Sequence, residues 1–115
     1  MKEATLHNFQ EEILSAISPC VVKFTSDGCH LCIGLKPIFD KLEKKYDEMN
    51  FFNVDTIAEE RLTEIFSNDG VPTIYMFYKG GASEIPYPDS PDEESGYSEK
   101  YLKNYLNEFL GQGEV

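Results

Sequence analysis

Apolar residues at Phe9, Ile13, Leu14 and Ile17 fall at helical spacing in "NFQEEILSAIS", and Pro19 ends that segment. Asn8 followed by Glu11 has the form of a capping box, with Asn in place of the usual Ser or Thr. The rhythm then changes. "CVVKFTS" is a short, β-branched, apolar run that reads as a buried strand. After "SDG" turns the chain, Leu35, Ile38, Phe39, Leu42 and Tyr46 form one stripe of a long helix. Lys36, Asp40, Glu43, Lys44 and Lys45 make its solvated side. "NFFNVD" predicts a second strand, from Asn50 to Asp55. "TIAEERLTEIFS" predicts another amphipathic helix through Ile57, Leu62, Ile65 and Phe66, broken by "NDG". "VPTIYMFYKGG" predicts a third strand closed by Gly80 and Gly81. "SEIPYP" predicts an edge strand that Pro86 keeps short. "PDSPDEESG", from Pro88 to Gly96, reads as an acidic loop. A last helix places Tyr101, Leu102, Tyr105, Leu106 and Phe109 inward and stops at Gly111. The first strand–helix–strand unit implies parallel neighbours, with helices on both faces of one small sheet.

Composition narrows the class. The 115 residues suit one domain, 1–115, and 41% hydrophobic content supports a folded core. No apolar run is long enough to span a bilayer. "MKEATLHNFQEE" has no apolar core after its positive charge, so no secretory signal and a cytoplasmic setting are expected. A net charge of −11, with no basic run, argues against binding nucleic acid or anionic lipid. The same charge supports solubility, or steers a basic partner.

Cys20, Cys29 and Cys32 are too few for a disulfide framework. Cys20 opens the apolar run "CVVKF" and reads as a small buried hydrophobe. Cys29 and Cys32 stand two residues apart in "SDGCHLCIGLKP", a spacing that suits a metal clamp, a staple or a redox switch. Zinc would need further ligands from Cys20, His7 or His30, and the chain has no second Cys-x-x-Cys or His pair. Exchange chemistry fits better. A helix starting near Cys29 sets that sulfur beside unpaired N–H groups and the positive end of the helix dipole, which favours the thiolate. Cys32, one turn deeper, is placed to resolve a mixed disulfide formed at Cys29.

With its pair at a strand-to-helix junction, the chain resembles the thioredoxin family from about Pro19 to Gly81, with the final helix also in place. Pro37 follows Cys29 by eight residues (37 − 29 = 8), "NVD" resembles the family's second core strand, and "GVPT" resembles its cis-proline loop. The resemblance implies an α/β thioredoxin fold, a central mixed sheet of four to five strands with helices on both faces. It implies Cys29 as nucleophile, Cys32 as resolving thiol and Pro72 as a cis residue facing them. Val71 would pair its backbone with an extended substrate, and Gly28 and Leu31 would shape the contact surface. It further implies protein disulfide substrates, ribonucleotide reductase among them, no bound cofactor or metal, and electrons from a flavin-dependent thioredoxin reductase or from glutathione. A monomer is the default.

The motif departs from the family's Trp-Cys-Gly-Pro-Cys, reading Gly28-Cys29-His30-Leu31-Cys32. Lys23 stands where many thioredoxins bury an acid, and Phe51 where a lysine often partners that acid. Lys23 has two readings: its stem packs while the ammonium reaches water at the sheet edge or end, or it lies under Cys32 and favours the thiolate. His30 favours the Cys29 thiolate when protonated, or is simply an exposed helix-start residue. Together Lys23 and His30 predict a couple more oxidising than an ordinary thioredoxin. The competing expectations are a glutathione-dependent, glutaredoxin-like reductase and an interaction module without turnover.

Overall fold

The computed structural model describes residues 1–66 and 70–111. Its sheet has strands β1 (Lys2–Glu3), β2 (Cys20–Thr25), β3 (Asn50–Asp55), β4 (Thr73–Tyr78) and β5 (Gly81–Glu84), in the order β1-β3-β2-β4-β5. Helices α1 (His30–Lys45), α2 (Glu60–Ile65) and α3 (Glu99–Gly111) complete it. β2 runs parallel to β3 and antiparallel to β4, so the sheet is mixed and β2 is central.

Strand alternation divides the core in two. Val21, Phe51, Ile74 and Met76 pack on one face against Leu35, Phe39 and Leu42 of α1 and Leu102 and Leu106 of α3. Cys20, Val22, Phe24, Phe52 and Phe77 pack on the other, against Phe9, Ile13 and Leu62. Helical elements therefore cover both faces.

Several elements differ from their sequence expectation, each for a local reason. Instead of a helix through Ile17, the N-terminal segment forms a π-helical turn, Gln10–Leu14, ending well before Pro19 and leaving Ile17 93% exposed. Asn8 does not box with Glu11. Its Oδ1 accepts from the Thr5 N–H at 2.8 Å, and the Asn8 N–H donates to Thr5 Oγ1 at 3.3 Å. Ahead of that turn, Lys2–Glu3 adds a strand parallel to β3 that the sequence pattern does not announce. α2 is shorter than expected because Thr56 is tied to the Thr25 carbonyl and Asp55 Oδ1 accepts from Ile57 and Ala58 N–H. Ile57 and Ile65 are exposed accordingly. α2 ends at Ile65, and Asn68 and Asp69 of the expected "NDG" break lie outside the described residues. The edge strand comes earlier than "SEIPYP". Lys79 and Gly80, both at positive φ, make a two-residue hairpin turn that returns the chain at once as β5.

Candidate functional site

The site forms where β2 hands over to α1. Gly28 adopts φ +81°, a left-handed turn open to glycine at little cost, which aims the chain into the helix. Cys29 is the N-cap of α1, in extended conformation, and its Sγ accepts from the Cys32 N–H at 3.2 Å. A sulfur at a helix N-cap gains both a donor and the positive end of the helix dipole. Cys29 and Cys32 are joined as a disulfide with Cα atoms 5.2 Å apart. Cys29 is half-buried, whereas Cys32 is 6% exposed, so the two sulfurs differ in access.

β4 pairs with β2 so that Thr73 lies opposite Phe24, which brings Val71 and Pro72 to the motif's end of the sheet. The Val71–Pro72 peptide bond is cis. The Val71 carbonyl oxygen stands 3.9 Å from Cys29 Sγ, Val71 is half-buried and Pro72 is buried. The Thr73 hydroxyl donates to the Gly70 carbonyl at 2.7 Å, holding this approach to β4. His30 is exposed as the first residue of α1, and Leu31 beside it is half-buried.

Lys23 does not reach water at a sheet edge, because β2 is central, and at 4% exposure it does not emerge at the sheet's end either. Its ammonium donates to Asn53 Oδ1 at 2.6 Å and lies 5.5 Å from the centre of the Phe39 ring. Burial lowers its pKa, Glu3 and Asp40 oppose that shift, and Lys36 adds to it. Lys23 and Cys32 line one cleft of about 470 Å³, together with Thr25, Asp27, Lys36 and Asn53. Phe51 packs edge-on against Phe39 at 5.7 Å between ring centres, so the polar partner of Lys23 comes from Asn53 instead. Sequence reasoning missed Asn53, although "NFFNVD" sets it two residues beyond Phe51 and hence on the same strand face.

It also missed Gly34. A Cβ built there would overlap the Glu94 carbonyl oxygen, so the backbone of the acidic loop rests directly on α1. Asp92 shapes that loop by accepting from the Glu94 and Ser95 N–H groups and from the Ser95 hydroxyl. Among the described residues no cluster of His, Cys, Asp or Glu is arranged to hold a metal, and no helix is long and apolar enough to cross a membrane.

The thioredoxin family model matches residues 1–105. The chain belongs to the thioredoxin family. It is 30% identical to a thioredoxin of Borreliella burgdorferi over 95 residues, covering 81% of this chain and 74% of that one. Against a thioredoxin of Acetoanaerobium sticklandii it is 32% identical over 107 residues, 92% of this chain and 100% of the other. It is also 31% identical over 108 residues to the protein disulfide-isomerase erp38 of Neurospora crassa, covering 90% of this chain but 28% of that protein. With its Cys29–Cys32 pair at bonding distance, this member of the family is a thiol–disulfide oxidoreductase.

Proposed function

We propose that Cys29 attacks disulfides of protein substrates and that Cys32 resolves the mixed disulfide that results. The Cys29 thiolate takes one substrate sulfur and expels the other as a thiolate. The Cys32 thiolate then attacks Cys29 Sγ, releasing the second substrate sulfur and leaving Cys29–Cys32 oxidised. The observation that carries this order is the N-cap position of the half-buried Cys29, against the seclusion of Cys32. An extended substrate segment lies along Val71 and Pro72 by strand addition, with Gly28 and Leu31 forming the rest of the contact. No bound cofactor takes part. Electrons come from a flavin-dependent thioredoxin reductase or from glutathione, and ribonucleotide reductase is one acceptor. The protein works as a cytoplasmic monomer, a reading supported by an exchange pair without a framework of structural disulfides.

The couple is tuned to be more oxidising than an ordinary thioredoxin. When charged, Lys23 in the Cys32 cleft and His30 beside Cys29 both favour thiolates, and stabilising the reduced form raises the potential. Insulin reduction by the wild type, abolished in Cys29→Ser, tests the exchange. Titration against glutathione tests the tuning. We expect the wild type to lie above the thioredoxin value of about −270 mV, with Lys23→Ala and His30→Pro both lower. A wild-type potential at or below that value refutes the tuning and leaves the exchange standing.

A further inference from the structure

The two sulfurs of the pair open onto different flanks of the molecule. Cys29 Sγ lies 3.9 Å from the Val71 carbonyl oxygen, on the cis-proline side. Cys32, 6% exposed, forms part of the wall of the cleft of about 470 Å³ on the other side, with Glu3 of β1 and Asn53 of β3. A cleft of that size takes a small molecule and excludes a folded protein. Its walls are strongly polar. Lys23, 4% exposed, gives one N–H to Asn53 Oδ1 at 2.6 Å and sets its ammonium 5.5 Å from the Phe39 ring centre. It has no other hydrogen-bond acceptor among the described residues, so further donors of the ammonium are left for an occupant. Lys36 adds an exposed cation, and Glu3, Asp27 and Asp40 add carboxylates. Walls of both signs suit a ligand that carries both signs itself.

We propose that this cleft binds a zwitterionic low-molecular-weight thiol and delivers it to Cys32, so that small reductant and protein substrate enter on different flanks. The proposal rests on the reading of Cys29 and Cys32 as an exchange pair and names the small reductant's own site. The ligand's carboxylates meet Lys36 at the mouth and Lys23 within, and its ammonium meets Asp27 or Asp40. Its thiolate attacks Cys32 Sγ, the Cys29–Cys32 bond breaks, and the electron pair leaves on Cys29. Cys29 is the better leaving group, because its sulfur at the N-cap accepts the Cys32 N–H at 3.2 Å. A second small thiolate then attacks the ligand sulfur of the mixed disulfide and expels Cys32 as a thiolate. Two small thiols thus become one small disulfide, and the two protons they release pass through solvent to Cys29 and Cys32. Protein disulfides are too large for the cleft and meet Cys29 instead.

The test uses variants that keep one cysteine of the pair, in which an attached thiol cannot migrate between the two sulfurs. Reduced Cys29→Ser is mixed with glutathione disulfide or with uncharged hydroxyethyl disulfide, and transfer onto Cys32 is timed by mass spectrometry of its peptide. Cys32→Ser gives the same two rates for Cys29. The ratio of the glutathione rate to the hydroxyethyl rate should be about tenfold higher at Cys32 than at Cys29. Lys36→Glu in the Cys29→Ser background should cut the Cys32 ratio about five- to tenfold, by setting a carboxylate against the ligand's own. Equal ratios at the two cysteines overturn the proposal, as does a Cys32 that takes up neither group until denaturant is added. A Cys32 ratio unchanged by Lys36→Glu overturns it too. Insulin reduction by the wild type with dithiothreitol as donor reports on the exchange reading separately. Its absence would sink that reading, whereas its presence beside equal ratios removes only the cleft site.

Discussion

At the scale of single residues, chemistry follows from where each sulfur sits. Cys20 is wholly buried on the sheet face opposite α1, with its Sγ 3.8 Å from the Glu12 carbonyl and 3.7 Å from that of Ser18. Burial pushes its thiol pKa up, and a hydrogen bond with the Asn50 side chain offsets part of that. Nucleophilicity needs the thiolate, so Cys20 should stay inert while Cys29 and Cys32 react. Alkylation of the reduced, folded protein, followed by mass spectrometry of its peptides, should label the motif and spare Cys20 until denaturant is added. Cys20→Ala should cost about 1 kcal/mol in urea unfolding, the scale of a small buried deletion. Gly28 carries a different constraint. A Cβ there would meet nothing within 4 Å, so its φ of +81° alone sets the penalty for a side chain. Gly28→Ala should therefore destabilise by about 1 kcal/mol without a packing defect, read from the same unfolding curves.

At the scale of elements, α1 joins three parts of the molecule. It carries the cysteines at its first turn, buries Leu35, Phe39 and Leu42 against the sheet, and receives the acidic loop at Gly34. Gly34→Ala must displace the loop backbone at Glu94 or shift the helix. It should cost about 1–3 kcal/mol and open the 92–96 turn to limited proteolysis. α1 was legible in the sequence because its stripe, turn and solvated face agree at every position. The site's cysteines were legible for a related reason: their spacing and their place after an apolar run both fall within local sequence. What escaped notice depends on distant partners. β1 is a two-residue strand defined only by pairing with β3, and β5 is placed by the backbone angles of Lys79 and Gly80. The contact between Gly34 and Glu94 joins residues 60 apart (94 − 34 = 60), and a glycine in a helical pattern does not reveal what lies over it. Asn53 was within reach, since strand alternation sets it on the face of Lys23, but only the register of β2 against β3 makes them partners.

At the scale of the whole molecule, 21 acidic residues against 10 Lys and Arg leave a self-repelling surface that salt should screen. Titration of buried groups acts beside that repulsion. Tyr97 is 1% exposed, and burial raises its phenol pKa well above the ordinary value of 10. The unfolded chain then ionises this phenol more readily than the native one, so the native state holds more protons at alkaline pH. Its stabilising contribution is present in full below about pH 10 and is lost as pH rises toward the folded value. Tyr46 and Tyr101 are shifted the same way by burial. Lys23 works oppositely: its depressed pKa makes ammonium burial a cost near neutrality, which eases as pH rises. Three phenols against one amine should make stability fall on the alkaline side. Growing negative charge adds to that fall, so the phenol's part must be isolated by substitution at fixed ionic strength. Tyr97→Phe keeps the ring that packs against Tyr87 and Tyr101 and removes the titrating group together with its hydrogen bond to the Ile74 backbone, a loss present at every pH. Urea unfolding between pH 8 and pH 11 should show the alkaline loss reduced by about 1 kcal/mol or more in the variant, one pKa unit being worth about 1.4 kcal/mol. An alkaline loss as steep as the wild type's would assign the fall to surface charge instead.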